Sequence, residues 1–82
     1  MELKIVSPEG IQKHEILWLE LNTKAGNFVI QPGHTPMIVS LAEDKEVVFC
    51  FTNGKQESFA AQAGVAEITR TSATLLLTQM PS

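Results

Sequence analysis

Apolar residues recur at every second position along almost the whole chain, and turn-forming residues interrupt each run. Period two is the repeat of a half-buried strand, so this pattern confines the chain to β structure. Leu3 and Ile5 alternate with Glu2 and Lys4 before Ser7-Pro8-Glu9-Gly10 ends the run. From Ile16 to Leu21, Leu17, Leu19 and Leu21 share one face, and Ile16, Trp18 and Glu20 share the other. Asn22 to Asn27 is a polar connection, Phe28 to Ile30 a short strand, and Gln31 to Pro36 a loop whose two prolines forbid a helix. Met37, Val39 and Leu41 alternate with Ile38 and Ser40 in the next strand. Ala42 to Glu46 is charged and reads as a loop or a single turn.

Val47 to Thr52 is β-branched and aromatic, as in a strand buried on both faces. Asn53-Gly54 then separates it from Lys55 to Ala63. Asn-Gly between two strand-like runs is the strongest short hairpin signal, because a type I′ turn needs positive φ at both central residues. Gly64 marks a bulge or a corner, Val65 to Thr69 is a strand, and Arg70-Thr71-Ser72 turns the chain into a last strand at Ala73 to Thr78. No window carries a helical stripe. The expected fold is all-β, a small two-sheet β-sandwich over residues 1–78, followed by a frayed tail at 79–82.

Eighty-two residues make one small domain with a limited core. Six basic residues without a basic run, in a chain of net charge −3, leave nucleic acid without an electrostatic footprint. The longest apolar runs, Ile16 to Leu19 and Val47 to Phe51, are far short of the roughly 20 residues of a membrane span. The alternating start Met1 to Ile5 is not a signal peptide. Lone Cys50 lies in an apolar run and reads as a buried thiol. These features point to a soluble, cytoplasmic chain.

Chemistry-bearing motifs are missing. Gly54-Lys55 lacks both the earlier glycine and the following hydroxyl residue of a phosphate loop. Two histidines and one cysteine form no zinc spacing, and no nucleophile elbow is present. Asp44, the only aspartate, sits in a charged loop. No catalytic residue, metal site, cofactor or small-molecule ligand is expected. His14 reads as a solvated strand residue. If the leucine face of residues 16–21 is the core, Ile16 and Trp18 form an outward apolar patch, unless a loop of the same domain covers them.

The segment Gly26-Asn27-Phe28-Val29-Ile30-Gln31-Pro32-Gly33-His34-Thr35-Pro36-Met37-Ile38-Val39-Ser40-Leu41 resembles the signature of the F-type ATP synthase epsilon subunit. Leu3 to Glu9 is similar to that family's first strand and turn. Phe59 to Ile68 is similar to its aromatic strand, glycine corner and following strand. The three blocks are collinear and cover nearly the whole chain. Ala63-Gly64 stands where the family commonly has two glycines, Asn27 where an acidic residue is frequent, and Glu43-Asp44-Lys45 where a Pro-Gly pair is usual.

The resemblance implies a non-catalytic rotor subunit that clamps the gamma subunit onto the membrane ring of c subunits. It would work on the cytoplasmic side of an energy-transducing membrane, attached through the complex. By correspondence, Ser7, His34 and Val39 would meet gamma, and Asn27, Phe28, Gly33, His34 and Thr35 the c ring. The Pro32-Gly33-His34 loop is either that contact or a rigid turn whose histidine caps a neighbouring backbone group. Phe28 and Ile30 read individually as core. Many family members continue into a helical hairpin with inhibitory or ATP-binding activity. The sequence stops where the sandwich stops, so neither activity is expected. The rival readings are a free-standing β-sandwich adaptor, and, third, a small-ligand binder with a closed apolar cavity.

Overall fold

The alternation resolves into eight strands: β1 Glu2–Ser7, β2 Gly10–Thr23, β3 Gly26–Ile30, β4 Met37–Ser40, β5 Lys45–Phe51, β6 Gln56–Ala61, β7 Gly64–Ile68 and β8 Ser72–Leu77. The computed structural model describes residues 1–78; the tail expected at 79–82 lies outside them. Two sheets pack face to face, so the chain is a β-sandwich. One sheet has the order β4-β7-β8-β1-β2, with β1 and β8 parallel and the other neighbours antiparallel. The second contains β3, β2, β5 and β6, all antiparallel.

Strand β2 belongs to both sheets. It pairs with β1 over Gly10–Glu15, then with β5 and β3 over Ile16–Thr23. Fourteen extended residues would reach roughly 45 Å at about 3.3 Å each, whereas the molecule measures 26 × 25 × 17 Å, so β2 has to bend. The bend coincides with a bulge: Ile16 pairs with Phe51 and Trp18 with Cys50, which leaves Leu17 as the extra residue. At the opposite corner, Thr23 bridges to Leu41, and the Ala42 N–H donates to the Asn22 carbonyl at 2.9 Å. The sandwich is thus joined at two corners, like half a barrel.

This bulge corrects the expected facing of residues 16–21. One inserted residue reverses inside and outside along a strand. Ile16 is therefore core, only 1% exposed, while Leu17 is 46% exposed; Leu19 and Leu21 return to the core. The apolar pair on the outside is Leu17 and Trp18, not Ile16 and Trp18. The core is built from Leu3, Ile5, Ile16, Leu19, Leu21 and Ile30 against Val47, Phe49, Ala66, Ile68 and Leu75. Of Val47 to Phe51, Val47, Phe49 and Cys50 are buried, Val48 and Phe51 half-buried, and Thr52 lies beyond the strand.

The β5–β6 hairpin turns at Asn53-Gly54 as expected, with a different turn. The Gly54 N–H donates to the Phe51 carbonyl (2.9 Å) and the Phe51 N–H to the Lys55 carbonyl (2.8 Å). Gly54 has φ 90°, whereas Asn53 is not left-handed. This is a three-residue loop of Thr52, Asn53 and Gly54 ending in a glycine bulge. The Asn53 side-chain oxygen accepts the Lys55 N–H at 2.9 Å and stabilises it. His14 is not a solvated strand residue: half-buried, it stacks on Phe49 (5.6 Å between centroids) and meets Phe51 edge-on (5.4 Å).

Candidate functional site

The Gln31–Pro36 loop leaves β3 and enters β4 across the turn between β7 and β8. The Gly33 N–H donates to the Arg70 carbonyl at 2.7 Å, and the Arg70 guanidinium, through Nη1, donates back to the Gly33 carbonyl at 3.4 Å. Within the loop the His34 N–H donates to the Gln31 carbonyl at 3.0 Å. Gly33 has φ 88°, a left-handed conformation that a side chain would strain. His34 Nδ1 lies 2.8 Å from the Thr35 carbonyl oxygen. A carbonyl only accepts, so Nδ1 is the donor in this contact. His34 is half-buried, while Pro32, Gly33, Thr35 and Pro36 are exposed.

The remaining residues singled out in the sequence are spread over the sandwich. Ser7 is half-buried at the far end of β1, since the start of β1 pairs with Ser72 beside the Arg70 turn. Val39 pairs with Ala66, which pairs with Leu75, and packs half-buried against the core; its side chain faces inward. Phe28, opposite Leu21, also packs against the core, and Ile30 is fully buried. Asn27 is exposed on the outer face of β3, where its Nδ2 donates to Glu20 Oε2 (3.0 Å) and Asn22 Oδ1 (3.1 Å). Asn27 and Phe28 stand near the start of β3, whereas Gly33 to Thr35 lie beyond its end. Neither expected contact set forms a single cluster.

A surface that the sequence did not disclose emerges from strand register. On the outer face of the five-stranded sheet, Val65 pairs with Leu76, Leu76 with Val6, and Val6 with Ile11. These side chains form a continuous apolar row across four strands, with Leu76 48% and Ile11 60% exposed. Ser7 adjoins Val6, and Ile38, 69% exposed, projects from the β4 edge one row further on. In that next row Lys4 and Lys13 face outward beside Thr74 and Glu67.

An open groove of about 400 Å³ runs along Pro36, Met37, Ile38, Glu67, Ile68 and Thr69 at the β4–β7 edge. Among the described residues no three His, Cys, Asp or Glu side chains converge as metal ligands, and no helix is long and apolar enough to cross a membrane.

The fold and the candidate site together define a small all-β sandwich with a hydrogen-bonded loop at one end and an apolar row on one outer face. The chain belongs to the family described as ATP synthase, Delta/Epsilon chain, beta-sandwich domain, whose model matches residues 1–80. Its fold is similar to a chain of the Euglena gracilis mitochondrial ATP synthase (OSCP/F1/c-ring in rotational state 1), with TM-score 0.86 and 14% identity over 96% of this chain. It is also similar to a chain of the Tetrahymena thermophila mitochondrial ATP synthase central stalk and c-ring, with TM-score 0.79 and 14% identity over 96% of this chain. The chain spans 51% of the Euglena chain and 63% of the Tetrahymena chain. No curated protein matches it in sequence.

Proposed function

We propose that this domain is a non-catalytic part of the central stalk of a rotary F-type ATP synthase, binding the gamma subunit and touching the membrane c ring. Coupling ion flow to ATP synthesis asks such a domain for stiffness and two contact surfaces rather than a nucleophile. The observation that carries the reading is the outer row Val6, Ile11, Val65 and Leu76. Side chains this exposed and this contiguous are best accounted for by a partner that covers them. Gamma would dock over this row, with Ser7 at its margin. The Gly33-His34-Thr35 tip would meet the ring, with Asn27 and Phe28 further along β3. His34 would also reach gamma. Val39, turned inward, would support the β4 edge rather than touch gamma with its side chain. The domain would sit on the side of the energy-transducing membrane where the catalytic head lies, attached through the complex.

Capture of the tagged chain from source membranes, with the bound subunits identified by mass, tests this. Recovery of gamma and c subunits is expected. Recovery of an unrelated partner set in their place would favour an adaptor that has left the rotor.

A further inference from the structure

The turn Thr69-Arg70-Thr71-Ser72 is held from within. The Thr69 N–H donates to the Ser72 carbonyl (2.9 Å), and Thr69 Oγ1 accepts the N–H groups of Ser72 (3.0 Å) and Thr71 (3.3 Å). Thr69 Oγ1 also lies 2.8 Å from Ser72 Oγ. Such local side-chain bonds fix a turn, and β1 adds one bond from outside, from the Glu2 N–H to the Thr71 carbonyl at 3.3 Å. Arg70 stands at its tip and meets Gly33, 37 residues earlier, at both of that glycine's backbone polar groups. Among the described residues, and apart from the His34–Gln31 bond inside the loop, no other hydrogen bond ties positions 32–35 to the rest of the domain.

We propose that Arg70 is the positioning residue of the 31–36 loop. Its carbonyl fixes where the loop crosses the β7–β8 turn, and its guanidinium closes the second bond that stops Gly33 from rotating away. Pro32 and Pro36 limit how the loop can bend, and His34 is tied to Gln31 and Thr35, so holding Gly33 holds the whole tip. A tip already held loses little conformational freedom on docking. That consequence rests on the stalk reading above; the clamp itself does not.

The test is amide hydrogen exchange followed by NMR on the free domain, comparing wild type, Arg70→Ala and Arg70→Lys. Arg70 is exposed, so Arg70→Ala should leave the melting temperature and the exchange of core amides such as Leu19 and Leu75 unchanged. The Gly33 and His34 amides should exchange about five-fold faster, the equivalent of one ordinary hydrogen bond. Arg70→Lys keeps a long cationic donor and should restore most of the protection. Capture of gamma or c subunits should weaken with Arg70→Ala and recover with Arg70→Lys. Unchanged Gly33 exchange in Arg70→Ala overturns the proposal, and so does a uniform loss of protection across the core, which would make Arg70 merely structural. If exchange changes as expected while wild type captures no stalk subunit, the clamp stands and the stalk reading falls.

Discussion

Gly64 lies so close to the Leu76 carbonyl that a Cβ on the glycine would sit 2.6 Å from that oxygen and 2.8 Å from Leu77 Cδ2. The oxygen belongs to β8, in the middle of the five-stranded sheet, and cannot retreat without parting β8 from β7. Gly64→Ala should therefore destabilise the fold by about 1–3 kcal/mol, the usual range for forced overpacking. Urea unfolding measures it, and a variant as stable as wild type would mean that the strands separate freely there.

The bulge at Leu17 makes opposite forecasts for two adjacent aliphatic residues. Ile16→Ala removes a fully buried side chain and should cost about 2–5 kcal/mol. Leu17→Ala trims an exposed one and should fall within about 0.5 kcal/mol of wild type. The reverse ranking in denaturant melts would restore the straight-strand facing, with the leucines inside and Ile16 outside.

Most of the fold was legible because strands and turns write themselves locally. Prolines and glycines set off the 31–36 loop and the hairpin tip, and strict alternation marked β1, β4 and β7. Three features were not legible, each for a physical reason. The first half of β2, Ile11 to Glu15, is polar because much of it is exposed, so it lacked the alternation that would have joined it to Ile16–Leu21. The bulge carries no glycine or proline; it is visible only in the partner strand, where one residue step faces two. Asn-Gly serves both a two-residue turn and a three-residue turn with a terminal glycine bulge, so it located the tip without fixing its type. The candidate site divides in the same way. The proline-rich loop is local, but the Arg70 clamp joins residues 37 apart, and the apolar row exists only once four strands are in register.

The docking face can be tested on Leu76, at the centre of that row. Leu76→Glu projects into solvent and should shift stability by less than about 1 kcal/mol. Buried under a partner, the same carboxylate would be unpaired and desolvated, so capture of gamma should fall at least ten-fold. Undiminished capture by a folded Leu76→Glu protein would remove this face from the interface. His34→Ala, at the loop tip, should weaken assembly by about 1–2 kcal/mol if it is one of the dominant contacts.

Val39→Asp behaves differently, because Val39 packs against Ala66 and the core beneath it. A carboxylate forced into that half-buried position has no partner there. The substitution should lower stability by about 2 kcal/mol or more before any partner is added. Loss of gamma capture by this variant therefore reports unfolding unless its melt is unchanged, and an unchanged melt would return Val39 to the list of surface contacts.

Trp18, the only tryptophan, reads out which face is occupied. It pairs with Cys50 across β2 and β5 and lies on the outer face of the four-stranded sheet, because Leu19 and Phe49, next along each strand, point into the core. The apolar row is on the other sheet's outer face. Docking of gamma over Val6 and Leu76 should thus leave the emission maximum of Trp18 where it is, while unfolding should shift it to the red as the half-buried ring becomes hydrated. Cys50 is only 4% exposed although its strand position points outward: Trp18 on β2 and Gln56 on β6 stand directly opposite it, at the roughly 5 Å spacing of cross-strand pairs, and Trp18 is the larger of the two neighbours. Trp18→Ala should then raise the rate at which a disulfide reagent labels native Cys50 by ten-fold or more. A blue shift on gamma binding, together with protection of Cys50 in Trp18→Ala, would move the docking surface to the four-stranded sheet.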